Sequence, residues 1–136
     1  MRKKLFIIGR VGFGLLYLGA AIFNWVMAIA SPDTYRSFAD HAYVGFYSEA
    51  WDKIVDPHLV PWIVILGFIE FGIAMLFFTR REYVRIGLGF GIIFTLVLAP
   101  FGEWTLLNLV LVMLQMLLLA YDLRAPKSGL RIVQNG

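Results

Sequence analysis

Glu70 is the residue in this chain best placed for chemistry. It is a carboxylic acid near the midpoint of an otherwise apolar run, Val60 to Phe78. That run is long enough to cross a bilayer, and an ionisable group at such depth costs at least ~2.5–3.5 kcal/mol on insertion scales. A group buried at that cost faces a partner or a cavity. The candidate partner is Arg10, which interrupts a second apolar run, Leu5 to Ala30. Their axial gap is expected on the order of 10 Å from the helical rise, which two long side chains can close with Tyr17 or a water between them. Whether Glu70 carries a charge then depends on whether Arg10 reaches it.

Other polar residues repeat in the same runs. Arg10, Tyr17 and Asn24 are spaced seven apart, and so are Asn108, Gln115 and Asp122. Seven residues are nearly two helical turns, so each set lies along one face. Gly87, Gly91, Thr95 and Ala99 recur at every fourth position, a small-residue ridge that lets helices approach closely. Arg10, Tyr17, Asn24, Glu70, Asn108 and Gln115 are the candidate site residues. Three chemistries are open to them: a structural seam that fixes helix register, a site for a polar head group such as a quinone ring or bound lipid, and a proton-accepting carboxylate.

The elements that position these residues follow from composition. The chain has 136 residues, of which 60% are hydrophobic. Its mean hydropathy is +0.78. A soluble domain of this size could not bury so much apolar surface. The expected fold is therefore all-α, a single integral membrane domain over 1–136 with four spans, about 5–30, 60–78, 84–99 and 106–121. Pro100 stops the third span, and a tight hairpin joins it to the fourth. Four short helices enclose too little lumen for a channel. The first run is too long for the apolar core of a signal peptide and contains Arg10, so it reads as an uncleaved span.

Charge placement sets the expected orientation. Ten of the twelve Lys and Arg flank or enter the spans on one side: Arg2, Lys3, Lys4, Arg10, Arg80, Arg81, Arg85, Arg124, Lys127 and Arg131. Arg36 and Lys53 alone lie in the long first loop. The positive-inside rule puts both termini in the cytoplasm. Within that loop, Tyr35, Phe38, Tyr43, Phe46, Tyr47, Trp51 and Val55 recur at helical spacing, with Ser31 or Asp33 as N-cap. This predicts an amphipathic outer helix over 34–55, broken near Gly45, that caps the bundle or gates it.

Several functions are disfavoured. There is no cysteine, which removes disulfides, thiol redox chemistry, Cys-ligated clusters and zinc–thiolate sites. The two histidines, His41 and His58, both fall outside the spans, against a haem held between helices. The glycine-rich stretches 9–14 and 87–91 lie within spans and lack the strand context of a phosphate loop. The basic ends are too short to argue for nucleic acid and suit anionic lipid. No catalytic residue, metal site or intrinsic cofactor is assigned.

The segments Gly9-Arg10-Val-Gly-Phe-Gly14-Leu-Leu-Tyr17-Leu-Gly19 and Leu66-Gly-Phe-Ile-Glu70-Phe-Gly72, followed by Arg80, resemble the DoxX family of small four-span membrane proteins. Arg10, Glu70, Gly72 and Arg80 match positions of its pattern, whereas Asn24 stands where the family often has Lys. The resemblance implies a bacterial or archaeal cytoplasmic membrane and association with membrane oxidoreductases, quinone-linked ones among them. The expected function is an accessory or anchoring subunit of such a complex, its partners being lipids and another membrane protein. The alternatives are a purely structural packing subunit and a small free-standing quinone-linked enzyme using Glu70 and Arg10.

The orientation is directly testable. In intact cells, Ser48→Cys should react with an impermeant maleimide, and Ser128→Cys should react only after permeabilisation. The reverse pattern inverts the topology.

Overall fold

Each apolar run forms a helix because a bilayer offers the backbone no other hydrogen-bonding partners than its own. The computed structural model describes residues 2–102 and 104–124. Lys127, Ser128 and Arg131 lie outside them. Helix α1 spans Arg2–Ala30, α2 Ser37–Asp40, α3 Gly45–Ala50, α4 Leu59–Phe77, α5 Arg81–Leu98 and α6 Thr105–Leu123. No strand occurs among the described residues. Four helical stretches are long and apolar enough to cross a membrane: Lys4–Ala30, Gly45–Phe77, Arg81–Phe101 and Thr105–Leu123.

α1 and α4 run antiparallel, in contact from Phe13 and Phe77 to Ala28 and Ile63. Tyr17 stacks on Phe77 at 6.0 Å, and Trp25 Nε1 donates to the Val64 carbonyl at 3.3 Å. Ala28 packs with Ile63 and Leu59. The α4 face expected to carry Glu70 is buried: Ile63, Gly67, Glu70, Ala74 and Phe77. α5 and α6 then complete the bundle, with Val84 and Leu88 in the main apolar cluster. Gly87, Gly91, Thr95 and Ala99 are all buried, so the ridge does face inward. α5 ends in a single 3-10 turn at Ala99–Phe101, where Pro100 cannot continue the hydrogen-bond ladder.

The outer segment is not one helix. It is a 3-10 turn at Pro32–Tyr35, then α2, α3, a π turn at Trp51–Val55 and a 3-10 turn at Asp56–His58 that leads into α4. Ser31 precedes the first turn but caps no backbone N–H; its hydroxyl pairs with that of Thr34 at 3.0 Å. The aromatic side is used for docking across the bundle's end. Tyr47 and Trp51 meet Phe101 edge-on at 5.1 and 5.2 Å, and Tyr43 N–H donates to the Pro100 carbonyl at 2.9 Å. Gly102 turns the chain there with φ +86°, and the His41 carbonyl lies where a side chain would start. The bundle thus has a capped end, under this segment, and a basic end, where α1 begins and α6 finishes.

Close approach at α5 gives a sharp prediction. A Cβ on Gly91 would strike the Gln115 amide oxygen and lie 2.8 Å from the Tyr17 hydroxyl, whereas one on Gly19 would meet nothing within 4 Å. Gly91→Ala should lower the melting temperature in detergent. Gly19→Ala should leave it unchanged or raise it, helix propensity adding up to about 1 kcal/mol of stability. Equal effects would remove α5 and α6 from contact with Tyr17.

Candidate functional site

The polar residues of the spans form three tiers, each joining different helices. In the middle tier the Tyr17 hydroxyl of α1 lies 3.1 Å from the Gly91 carbonyl, 3.0 Å from Thr95 Oγ1 and 3.3 Å from Gln115 Oε1. The phenol has one proton to give, so it serves one of these acceptors while Thr95 can donate in return. Gln115 is fully buried, and its Nε2 has no hydrogen-bond partner among the described residues.

The tier towards the capped end contains Glu70. Asn24 Nδ2 donates to Glu70 Oε2 at 2.5 Å, and the Tyr35 hydroxyl donates to Asn24 Oδ1. Asn24 therefore connects α1 to α4 through one end of its amide and to the outer segment through the other. Burial, with Glu70 adding to it, pushes the Tyr35 phenol up to about 12, so it keeps its proton and remains a donor. Glu70 is 7% exposed, and among the described residues Asn24 alone hydrogen-bonds its carboxyl.

The third tier lies at the basic end. Asp122, 1% exposed, takes the Arg81 Nε on one oxygen and the Arg85 Nε on the other, both at 2.5 Å. Arg81 also donates to the Asp122 main-chain carbonyl at 3.1 Å and rests over the Phe6 ring. This ties α5 to α6, with α1 alongside.

The expected Arg10–Glu70 pair does not form. Because Glu70 sits beside Asn24, it is fourteen residues along α1 from Arg10, or roughly 20 Å by helical rise. The expected gap of half that length places Glu70 near the midplane; the structure places it beside Asn24, nearer the capped end. Arg10 lies near the basic end, its Nε buried without a hydrogen-bond partner. The candidate residues therefore divide rather than converge. Tyr17 meets Gln115, Asn24 meets Glu70, and Arg10 and Asn108 belong to neither pair.

Tyr35, Arg81, Arg85, Thr95 and Asp122 were not among the candidates. Tyr35 was read only as one aromatic of an amphipathic face. Arg81 and Arg85 were read as topology signals, although their four-residue spacing and the position of Asp122 at the same end pointed to a shared carboxylate. No group of three His, Cys, Asp or Glu at metal-binding distance occurs among the described residues.

The Asn24–Glu70 bond can be tested by two substitutions. Glu70→Gln keeps an acceptor for Asn24, whereas Glu70→Ala strands the amide donor, at about 1–3 kcal/mol for an unsatisfied buried group. Glu70→Ala should melt at a clearly lower temperature in detergent than Glu70→Gln. Identical melting would mean that Asn24 gains nothing from this side chain.

No family model, curated protein or solved structure matches the chain. The likeness to the DoxX family therefore stays an expectation from sequence motifs alone.

Proposed function

We propose that this chain is an accessory or anchoring transmembrane subunit of a larger membrane complex, with its basic end in the cytoplasm and its capped end outside. The observation that carries the reading is how the interior polar groups are used. Tyr17 bonds Thr95, Asn24 bonds Glu70, and Asp122 bonds Arg81 and Arg85, each across helices, so their first role is to hold the bundle together. The α4–α5 side presents an open apolar groove of about 520 Å³ lined by Phe68, Gly72, Leu76, Phe90, Ile93 and Val97. That surface suits a neighbouring hydrophobic helix. The DoxX-like motifs support a redox complex as the partner, and the segmented aromatic cap supports an interfacial seat at the outer surface. A free-standing enzyme built on Arg10 and Glu70 loses its basis, since those residues are far apart.

A second reading is favoured by one observation. The interior keeps spare polar capacity, namely the second oxygen of Glu70 and the Gln115 Nε2. A polar head group such as a quinone ring could use either. In that case the subunit would contribute part of a partner's quinone site.

Affinity capture from membranes in mild detergent, with mass spectrometry of the eluate, tests the first reading. A membrane oxidoreductase polypeptide should co-elute in stoichiometric amount, and the Glu70→Gln variant should retain it. A folded chain that elutes alone overturns the proposal. Retained assembly with lost quinone-linked turnover in Glu70→Gln would transfer support to the second reading.

A further inference from the structure

Arg10 is a cation inside a membrane span. No ion pair or hydrogen bond to its guanidinium occurs among the described residues, and its Nε is shielded from solvent. Such a group normally finds an anion or reaches the interface. The buried acidic side chain of the basic end, Asp122, is already shared by Arg81 and Arg85. With Arg10, this end therefore sets three guanidinium groups against that one carboxylate. Around it, the described side chains of this end add Lys4, Arg80 and Arg124, with Glu82 as the other acid. The excess positive charge has no protein counterpart among these groups.

An apolar groove of about 380 Å³ runs between α1 and α6. Phe6, Gly9, Phe13, Leu114, Leu118 and Tyr121 line it. Phe6 and Phe13 are four residues before and three after Arg10, so they share its helix face. Gly9 leaves room beside Leu118; a Cβ there would come within 3.0 Å of it. Tyr121, at the basic end of the groove, has a buried hydroxyl with no partner. An apolar slot with a buried, unpartnered hydroxyl at its basic end, Arg81 over its Phe6 ring and Arg10 on the helix face of Phe6 and Phe13 fits one class of ligand: an acyl chain joined to an anionic phosphate.

We propose that the α1–α6 groove holds one anionic phospholipid, with an acyl chain along Phe6, Phe13 and Leu118 and its phosphate on Arg10. Arg10 lies eight residues into α1, roughly 12 Å from its start. Its long side chain can extend towards the head-group layer from there. The lipid neutralises the excess charge and fills the seam between α1 and α6.

The test uses the purified full chain in detergent, titrated with phosphatidylglycerol, with phosphatidylcholine of identical acyl chains, and with inorganic phosphate. Thermal melting and native mass spectrometry report binding. Phosphatidylglycerol should raise the melting temperature and remain bound as one copy, and the other two should do neither. Arg10→Gln should weaken apparent affinity roughly fivefold to tenfold, the effect of one charged contact. Arg10→Lys should recover part of it. Leu114→Trp, on a half-exposed position that needs no repacking, should block the slot and weaken binding with Arg10 intact. Equal stabilisation by both lipids, reproduction of the effect by phosphate alone, or undiminished binding in both Arg10→Gln and Leu114→Trp would overturn the proposal. Should Arg10→Gln not fold, Leu114→Trp and Arg10→Lys decide the matter by the same criterion.

Discussion

A polar side chain inside a bilayer has no water to turn to, and the whole bundle is arranged around that constraint. Apolar packing alone gives little preference for one helix arrangement over another, because lipid tails are as apolar as Leu. Interhelical hydrogen bonds and close contacts must supply the difference. Tyr17 reaches two helices from a third, Asn24 joins two helices and the outer segment, and Asp122 locks the last two helices at the opposite end. Each bond is modest, averaging about 0.6 kcal/mol in membrane double-mutant cycles. Their value lies in direction. A slipped register would strand several polar groups at once, in hydrocarbon.

Close contacts follow the same logic through size rather than charge. Large rings are set against glycines. Trp25 lies so near Gly67 that a Cβ there would sit 2.5 Å from the indole nitrogen, and Phe77 and Phe78 crowd Gly14 in the same way. The Trp25 indole also donates to the Val64 carbonyl, so one ring contributes both contact and hydrogen bond. These pairs explain why α1 and α4 form the most intimate helix pair, and why Asn24 and Glu70 meet at a fixed height.

Faces were legible in the sequence, whereas heights were not. The seven-residue spacing of Tyr17 and Asn24 and the glycine ridge of α5 identified the inward sides correctly, since periodicity within one helix is a local property. Which residue of α1 stands level with which residue of α4 depends on the connection between them. That connection is five short helical pieces whose 3-10 and π turns no periodicity reveals. Arg10 and Glu70 were matched on charge alone, and the register separated them. Asp122 was found on the right face, but its partners were missed, because arginines that set topology and arginines that pair with a carboxylate look alike until the helix ends are brought together.

The basic end shows how topology and packing can serve each other. Arg81 and Arg85 open α5, where the helix dipole disfavours cations, and Asp122 closes α6, where it disfavours anions. Considered singly, both helices carry the wrong charge at that end. Brought together in an antiparallel hairpin, each guanidinium lies against the carbonyl-rich end of its neighbour, and Arg81 donates to the Asp122 main-chain oxygen directly. Donation to a main-chain carbonyl at a helix C-terminus satisfies a group that its own helix leaves unbonded. Charges that would weaken each helix alone therefore strengthen the pair, and the same arginines remain available to set which side of the membrane they occupy. Among the described residues the pairs Arg36 with Asp33 and Asp56, and Lys53 with Glu49, at the capped end are substantially exposed, and pairs of that kind are worth little. Aromatic packing of Tyr47 and Trp51 on Phe101 and the Tyr35–Asn24 bond hold it instead.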